Sequence, residues 1–396
     1  MFRTAGAGMV KITKMGEFLL LAVACLTIMV GCVIVPGLPT VAAQLAVSSA
    51  AGWLVTIPSL GVVLLGPLAG LLVARLGLYK ALCCGLFAYG LLGAGGALLH
   101  GMVAVFADRL LLGGATAMVM ASGTGLISEF YEGGSRLAMI ARQGMSIELG
   151  GVIFLALGGW LAGLYWYLPF AIYLLAWVLL LLVLRYVPNP AFHHEASTGS
   201  VAGTGGPLPF ALKATYGAAL CSMIVFFTGI IVLPFRLHEL GVSEAQVGYF
   251  LAFVSLIAVA AAAAMPVVAR AIGEHRTLCI SFLFYSLAHL TFFLAGTGAT
   301  MIVGGIAMGI GFGLSVPLVN HMVIEQSHSH LRGKHLAYLS MAIFCGQFLS
   351  SFMEFIPGGR TSIFAVAALI ALAAAVAVWH LHTRAKAPQS PPNPSN

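Results

Sequence analysis

Apolar residues fill almost the whole chain in stretches of about 20 residues, a length that forms a helix able to cross a ~30 Å hydrocarbon core. Short polar intervals separate the stretches. Runs of about 10 residues with alternating polarity, typical of membrane barrels, do not occur. The sequence therefore predicts an all-α integral membrane protein with twelve transmembrane helices. They cover residues 18–41, 53–74, 80–99, 102–128, 144–164, 167–187, 212–234, 246–269, 277–296, 300–324, 336–356 and 361–381.

The chain repeats part of its pattern after 196 residues. Charged residues make up only 7% of the chain, so matches between them carry weight. The aligned positions pair Glu129 with Glu325, Arg136 with Arg332, Lys80 with Arg276, and Gly77 with Gly273. An offset near half the length predicts two pseudo-symmetric six-helix bundles joined in tandem, an arrangement found in membrane transporters.

The repeat and the polar intervals predict the domain organisation. We expect an N-terminal bundle over residues 1–187 and a C-terminal bundle over residues 210–383. Residues 188–209 between them are rich in Ser, Thr, Gly and Pro, a composition typical of flexible linkers. Residues 384–396 are predicted to be a disordered tail for the same reason.

Composition excludes a soluble globular protein. The chain is 61% hydrophobic and its mean hydropathy is +1.05. With twelve spans, fifteen of the eighteen Lys and Arg residues fall on one side of the membrane. Positively charged loops favour the cytoplasmic side of a membrane, so we expect both termini to lie there. The net charge of +7 is then explained by the orientation of the protein in the membrane, and no nucleic-acid partner is predicted. The expected location is the bacterial cytoplasmic membrane.

The interval after the second span carries a motif of glycines and basic residues. Gly70 is followed by Arg75, Gly77 and Lys80. Here the chain resembles the major facilitator superfamily, whose loop has Gly, three residues, Asp, Arg, one residue, Gly, and then basic residues. Ala74 replaces the acidic residue. The resemblance implies the twelve-helix fold of that superfamily and a cytoplasmic gate at this loop.

Each half also carries a Glu followed seven positions later by an Arg, namely Glu129 with Arg136 and Glu325 with Arg332. In the superfamily this pattern lies at the cytoplasmic ends of the fourth and tenth spans. Its ion pairs hold the halves together there when the protein is open outward. The resemblance therefore implies that these four residues belong to the cytoplasmic gate, where pairs can break and reform at modest cost.

Two further motifs resemble those of the twelve-span drug–proton antiporters in this superfamily. The first span contains Pro36 and Pro39, and prolines break helices where a cavity lies nearby. Arg109 and Gly113 resemble the membrane-embedded arginine motif that is implicated in proton transfer. Phe154 and Leu155 stand where the antiporter group has Gly-Pro, so import stays open as an alternative.

Three charges break the repeat: Asp108, Arg109 and Glu148. Their counterparts at the 196-residue offset are Gly304, Gly305 and Phe344. Ionisable groups inside a span are costly, so these three are predicted proton-coupling residues. Glu148, which lies inside the fifth predicted span, is the first candidate, and Arg109 could hold it ionised if the two helices meet. Adjacent positions on a helix diverge by about 100°, so Asp108 and Arg109 are expected to face different partners.

Polar and aromatic residues within or near the spans are candidates for the wall of a substrate cavity. They are Pro36, Pro39, Gln44, Phe226, Phe227, Asn320 and Gln347. No metal site and no cofactor is predicted, since the histidines near residue 330 have no Cys or carboxylate at ligand spacing.

Together these patterns predict a proton-coupled secondary transporter that exports an amphiphilic small molecule, such as a drug, siderophore or metabolite, by alternating access. Its partners would be the substrate, protons and the lipid bilayer, and we expect a monomer. The sequence has no phosphate-binding loop motif, so transport driven by ATP is not expected, and no enzyme activity is predicted. The alternatives are a proton symporter or uniporter that imports a metabolite, and less favoured, a lipid translocator or a membrane-embedded enzyme.

Overall fold

The computed structural model of the protein describes residues 12–189, 208–295, 298–328 and 331–386. Most of the predicted linker at 188–209 and of the predicted tail at 384–396 lies outside these ranges. Within them, twelve helical segments are long and apolar enough to cross a membrane. The prediction of an all-helical chain with twelve spans is confirmed.

Fourteen α-helices, some of them short pieces of one span, make up the described part of the chain. They are α1 Lys14–Cys32, α2 Leu38–Gln44, α3 Trp53–Leu76, α4 Leu78–Gly95, α5 Met102–Phe130, α6 Gly133–Leu164, α7 Leu168–Ala171, α8 Leu175–Tyr186, α9 Phe210–Glu239, α10 Glu244–Ile272, α11 Glu274–Leu294, α12 Gly298–Glu325, α13 Arg332–Leu349 and α14 Gly359–Lys386. Short 3₁₀ turns cover Ser48–Ala50, Gly96–Leu98, Ile172–Leu174 and Ser350–Phe355.

The first and fifth spans differ from their predicted bounds. The first is a broken helix, because α1 ends at Cys32 and α2 begins at Leu38. Pro36 lies in the break, and Pro39 lies in the first turn of α2, where a missing backbone donor costs nothing. The fifth span, α6, begins at Gly133 instead of residue 144. Its first turns are polar, and helical hydrogen bonding continues there because it does not depend on apolar side chains.

Two single-glycine turns connect helices at equivalent places in the repeat. Gly77 joins α3 to α4 with φ +80°, and Gly273 joins α10 to α11 with φ +91°. Each amide nitrogen closes the preceding helix, at 2.9 Å from the carbonyl oxygen of Val73 or of Ala269. Only glycine adopts this backbone conformation without strain, which explains why the repeat keeps it in both halves.

Two buried tyrosines, also related by the 196-residue offset, tie equivalent helices together. Tyr89 on α4 donates its hydroxyl to the Leu26 carbonyl oxygen on α1 at 2.6 Å. Tyr285 on α11 is hydrogen-bonded to the Ser222 hydroxyl on α9 at 3.0 Å. Ser222 is the counterpart of Leu26, so the two bundles share the position of this contact and differ in its chemistry.

The connections between spans fall at two ends of the bundle. At one end the Gly101 amide donates to the Leu45 carbonyl oxygen at 2.9 Å, which joins two connections of the N-terminal half. We call this the opposite end. The other end, here called the basic end, carries the exposed side chains Arg75, Lys80, Arg136 and Arg332.

Candidate functional site

Glu148 lies fifteen residues into α6, about four turns from its beginning, because the helix begins earlier than the predicted span. Seven and eleven residues later on the same helical face are Leu155 and Gly159. Both lie against α10: a Cβ placed on Gly248 would be 2.6 Å from the Leu155 carbonyl oxygen and 2.7 Å from the Gly159 Cα. Glu148 therefore lies on the face of α6 that is turned toward the C-terminal half.

The repeat supports this placement. Phe344, the counterpart of Glu148, lies on α13 and packs against a cluster of small apolar residues in the N-terminal half that includes Val62, Ala69 and Ala117. The equivalent position in the other half thus reaches across the interface. Within the described residues, the Glu148 carboxylate has no hydrogen bond and no ion pair. It is a carboxylate near the middle of a span, at the interface and without a partner.

Arg109 and Asp108 lie elsewhere, inside the N-terminal bundle. Arg109 is fully buried and Asp108 is 8% exposed. The Arg109 Nε is 3.9 Å from Asp108 Oδ2, and its Nη1 donates to the Tyr173 hydroxyl at 3.3 Å. The guanidinium also lies 5.1 Å from the centre of the Phe170 ring, a cation–π distance. Its partners are the adjacent Asp108 and two aromatic residues of the sixth span, and Glu148 is not among its contacts in the described part of the chain.

The expectation that Asp108 and Arg109 face different partners is wrong. Both side chains bend toward Gly96, where a Cβ would collide with the Arg109 guanidinium and lie 3.1 Å from Asp108 Oδ2. Flexible side chains thus overcome the angle between adjacent helix positions. Three buried atoms of the pair, Asp108 Oδ2 and Arg109 Nε and Nη2, have no hydrogen-bond partner among the described residues. The pair can exchange partners, which a fully satisfied pair would resist.

The residues predicted for the cytoplasmic gate all lie at the basic end. Their six charged side chains are exposed and form no hydrogen bond or ion pair within the described part of the chain. They are Arg75, Lys80, Glu129, Arg136, Glu325 and Arg332. A Cβ added to Gly70 would meet nothing within 4 Å, whereas Gly77 is required by its backbone angle. The halves are therefore not held together by these groups in this conformation.

At the opposite end the halves are joined along two contacts, which we call seams. The α6–α10 seam is built on glycines: a Cβ on Gly159 would be 2.6 Å from the Gly248 Cα. Beside it the Thr40 hydroxyl of α2 donates to Glu244 Oε1 of α10 at 2.9 Å. Small residues let these two backbones approach closely, as in other membrane helix pairs.

The α3–α13 seam is built on aromatic rings and one carboxylate. The Trp53 ring lies 6.0 Å from Phe348, 5.8 Å from Phe352 and 6.5 Å from Phe355, measured between ring centres. Next to it, the Glu354 carboxylate accepts the Gly52 amide, with its oxygens at 3.0 and 3.1 Å. The halves are thus joined by two seams at the opposite end, whereas the charged gate residues at the basic end form no ion pair among the described residues.

The predicted cavity residues have different surroundings. Pro36 is buried, and Pro39 and Gln44 lie on α2, with Gln44 exposed. Phe226 is buried against Phe312 at 4.0 Å between ring centres, whereas its neighbour Phe227 is partly exposed.

The two remaining cavity candidates are amides on α12 and α13. Asn320 donates its side-chain amide to the Val316 carbonyl oxygen of its own helix at 3.0 Å. Gln347 is partly exposed between Phe344 and Phe348, on the helix that forms the aromatic seam. Gln347 therefore lies on a helix that contacts the N-terminal half.

Sequence reasoning missed Glu354 as a functional residue, because it lies near a span end. A signal was available, however. The counterpart of Glu354 at the 196-residue offset is Gly158, so this carboxylate breaks the repeat as Glu148 does. The glycine contact between Gly159 and Gly248 had no such signal, since the chain contains 48 glycines.

Solved structures of membrane transporters resemble this fold over nearly its whole length. A peptide transporter POT in complex with sulfate has a TM-score of 0.73 at 14% identity, covering 93% of this chain and 94% of that chain. The inward-open xylose transporter XylE from E. coli has a TM-score of 0.69 at 16% identity, covering 92% and 95%. Identities this low show the fold alone. No protein of curated function gives a significant sequence match.

The sequence itself matches the profile of one family in both halves. Residues 19–215 and 215–396 each correspond to the Major Facilitator Superfamily. The two matches together span almost the whole chain, they divide it as the 196-residue repeat does, and they agree with the twelve-helix architecture. The chain belongs to the Major Facilitator Superfamily of membrane transporters.

Proposed function

We propose that this transporter is a proton-coupled exporter of an amphiphilic small molecule, with Glu148 as the residue that takes up and releases the proton. The observation that carries the proposal is the position of Glu148. It is near the middle of a span, on the face of α6 turned toward the other half, and without a hydrogen bond or ion pair in the described structure. A group with no fixed partner can change its protonation state as the halves move.

Asp108 and Arg109 have a supporting role in this proposal. The pair lies inside the N-terminal bundle and is connected to α1 by Tyr173. The Tyr173 hydroxyl accepts a hydrogen bond from Arg109 and donates one to the Val30 carbonyl oxygen of α1 at 2.8 Å. α1 also packs against α6, where Cys25 Sγ lies 3.0 Å from the Ser146 carbonyl oxygen. A rearrangement of the buried pair would therefore reach Glu148 through α1, since no direct contact joins them.

The proposed mechanism is alternating access. The basic end is the cytoplasmic end on the positive-inside rule, so this conformation is open toward the cytoplasm. In the outward-open state the charges at the basic end would form closing ion pairs between the two halves. Glu129 and Arg136 belong to the N-terminal half, and Glu325 and Arg332 belong to the C-terminal half. The transporter would act as a monomer in the bacterial cytoplasmic membrane, with residues 188–209 connecting its two bundles along the chain.

The substrate class follows from the scarcity of charge near the interface. Glu148 is the carboxylate at mid-span, whereas Glu244 and Glu354 are hydrogen-bonded at the opposite end. A cavity with this single carboxylate, and with the partly exposed Gln347 and Phe227 as further candidates for its wall, suits a neutral or singly positive amphiphile better than a sugar or a di-acid. Such ligands need apolar contact area and few hydrogen bonds.

The test is transport in proteoliposomes with an imposed pH gradient, using ethidium as a fluorescent amphiphilic cation. We expect gradient-driven ethidium movement in the wild type and background movement in Glu148→Gln. Glu17→Gln is the matched control, because Glu17 is bound to Arg142 at 2.6 Å near the beginning of α1. Undiminished gradient-driven transport by Glu148→Gln would remove Glu148 from the coupling role.

The same vesicles decide between directions. Accumulation of xylose or dialanine together with protons would replace the exporter by an importing symporter. Equilibration of either compound without a gradient would indicate a uniporter. Movement of a fluorescent phospholipid between leaflets would instead favour a lipid translocator.

A further inference from the structure

Glu354 occupies an unusual place at the opposite end. It lies in the 3₁₀ turn Ser350–Phe355 that follows α13, and its carboxylate accepts the backbone amide of Gly52 in the other half. Gly52 is the residue immediately before α3. No side chain of the N-terminal half caps α3, so the carboxylate of the C-terminal half does this in its place.

The contact is well matched physically. The first amides of a helix lack partners within the helix, and the helix dipole favours negative charge at this position. Gly52 also makes the approach possible, since a Cβ there would be 2.9 Å from Glu354 Cδ and 2.7 Å from Ile231 Cγ2. An ionised carboxylate therefore stabilises the closed seam through a charge-assisted hydrogen bond.

The surroundings of Glu354 supply few competing charges. Arg360 of α14 is the nearest charge, and it is itself bound to Glu239 of α9, which also pairs with Arg236 at 3.4 Å. From the other packed segments the facing groups are uncharged: the hydroxyls of Ser48 and Ser49, and the side chains Val232 and Phe235. A cavity of about 140 Å³ beside these groups is large enough to hold water next to the carboxylate.

We propose that Glu354 is a proton-operated latch: ionised, it holds α3 against α13 and keeps the opposite end closed, and a proton taken up from that side releases the seam. The proton moves from water in the cavity to a carboxylate oxygen. The neutral acid then loses its charge attraction for the helix end, and of the two oxygens that accept the Gly52 amide one becomes a hydroxyl donor while the other remains a weaker, uncharged acceptor. This idea rests on the proposed proton coupling and adds a second protonation site, on the other side of the membrane from the basic end.

The test measures the separation of the seam by pulsed electron paramagnetic resonance. Spin labels are placed on the full chain, with the seven native cysteines replaced, at Leu98 and Pro357, two exposed positions at the opposite end on different halves. A second pair, Tyr167 and Leu240, reports on the α6–α10 seam. The protein is held in lipid nanodiscs without substrate.

For the wild type we expect a short Leu98–Pro357 distance in alkaline buffer and a growing long-distance population in acid. Glu354→Gln should give the long distance at both pH values and lose the pH response. The ratio of the two populations should change about tenfold to hundredfold, as for loss of one charge-assisted hydrogen bond. Glu244→Gln, which alters the other carboxylate that crosses between the halves at this end, should retain the pH response.

Gly52→Ala is the second variant, because it displaces the carboxylate without removing it. It should also lengthen the Leu98–Pro357 distance and weaken its response to pH. A Glu354→Gln protein that still closes in alkaline buffer and opens in acid would overturn the latch, as would an unchanged Gly52→Ala protein. The outcome is independent of Glu148: undiminished transport by Glu148→Gln would remove only Glu148 from the coupling role and would leave a latch confirmed here in place.

Discussion

The α6–α10 seam and the α3–α13 seam occupy equivalent places in the repeat, yet they are built from different chemistry. Gly248 is the counterpart of Gly52, and Gly159 is the counterpart of Phe355. In one seam two glycines bring the backbones into contact, and in the other a tryptophan stacks among three phenylalanines beside a carboxylate. Pseudo-symmetry has preserved the position of the contacts while their energetics have diverged.

The difference indicates that the two seams have different roles, which we call the division of labour: one is insensitive to protonation and the other responds to it. A contact between glycine backbones depends on shape alone, so no change of pH or charge can alter it. A contact that includes an ionisable group at a helix end can be strengthened or weakened by one proton. The α3–α13 seam is therefore the adjustable one, and the α6–α10 seam is expected to stay close while the other opens.

The largest expected effect comes from the aromatic seam. Trp53→Ala removes three ring contacts with the other half, each worth about 0.5–1.5 kcal/mol beyond area burial, so the closed seam should lose about 1.5–4.5 kcal/mol. The Leu98–Pro357 distance should lengthen while the Tyr167–Leu240 distance is retained. Trp160→Ala, at a half-exposed tryptophan of α6, is the control. Equal lengthening of both distances would contradict the division of labour.

A smaller effect is expected from overpacking the glycine seam. In Gly159→Leu the added side chain starts 2.6 Å from the Gly248 Cα and 2.7 Å from the Glu244 carbonyl oxygen, and overpacking of this kind costs about 1–3 kcal/mol. The Tyr167–Leu240 distance should lengthen, equally in acid and in alkaline buffer. Gly217→Leu is the control, because it gives the same gain in helix propensity while a Cβ at that position would have no neighbouring atom within 4 Å. A pH-dependent opening in Gly159→Leu would show that this seam is also adjustable.

The smallest expected effect concerns the single polar contact beside the glycine seam. Thr40→Ala removes the hydrogen bond to Glu244, and since both side chains are partly exposed the loss should be about 0.5–1 kcal/mol. The short-distance population of the Tyr167–Leu240 pair should fall slightly and return in Thr40→Ser. A larger loss than in Gly159→Leu would mean that polar contact, and not shape, holds this seam.

Much of the architecture could be predicted from the sequence, because both hydropathy and the repeat are local properties of the chain. Helix bounds were less accessible: the helix that carries Glu148 begins at Gly133, among polar residues that hydropathy does not assign to a span. Proline positions indicated the break after α1 correctly, since proline acts on its own backbone.

Contacts between distant side chains were the least predictable part. Arg109 stands out as a charge that breaks the repeat, but nothing in the sequence points to Tyr173, which lies 64 residues further along the chain. A link between Arg109 and Glu148 could be imagined from their residue types, and packing decides against it by enclosing Arg109 inside one bundle. Glu354 shows the reverse case, because the repeat marks it and only the structure reveals the helix end that it caps.

The single-glycine turns at Gly77 and Gly273 have a mechanical consequence. α3 belongs to one seam and α10 to the other, and each is joined to the next helix by one residue that is fixed by its own hydrogen bonds. α3 has 24 residues and a length of about 36 Å, so tilting it by about 10° moves its far end by about 6 Å. A one-residue connection transmits that displacement directly to α4. Each pair of helices then moves as one unit, so the displacement at one face of the membrane sets the displacement at the other.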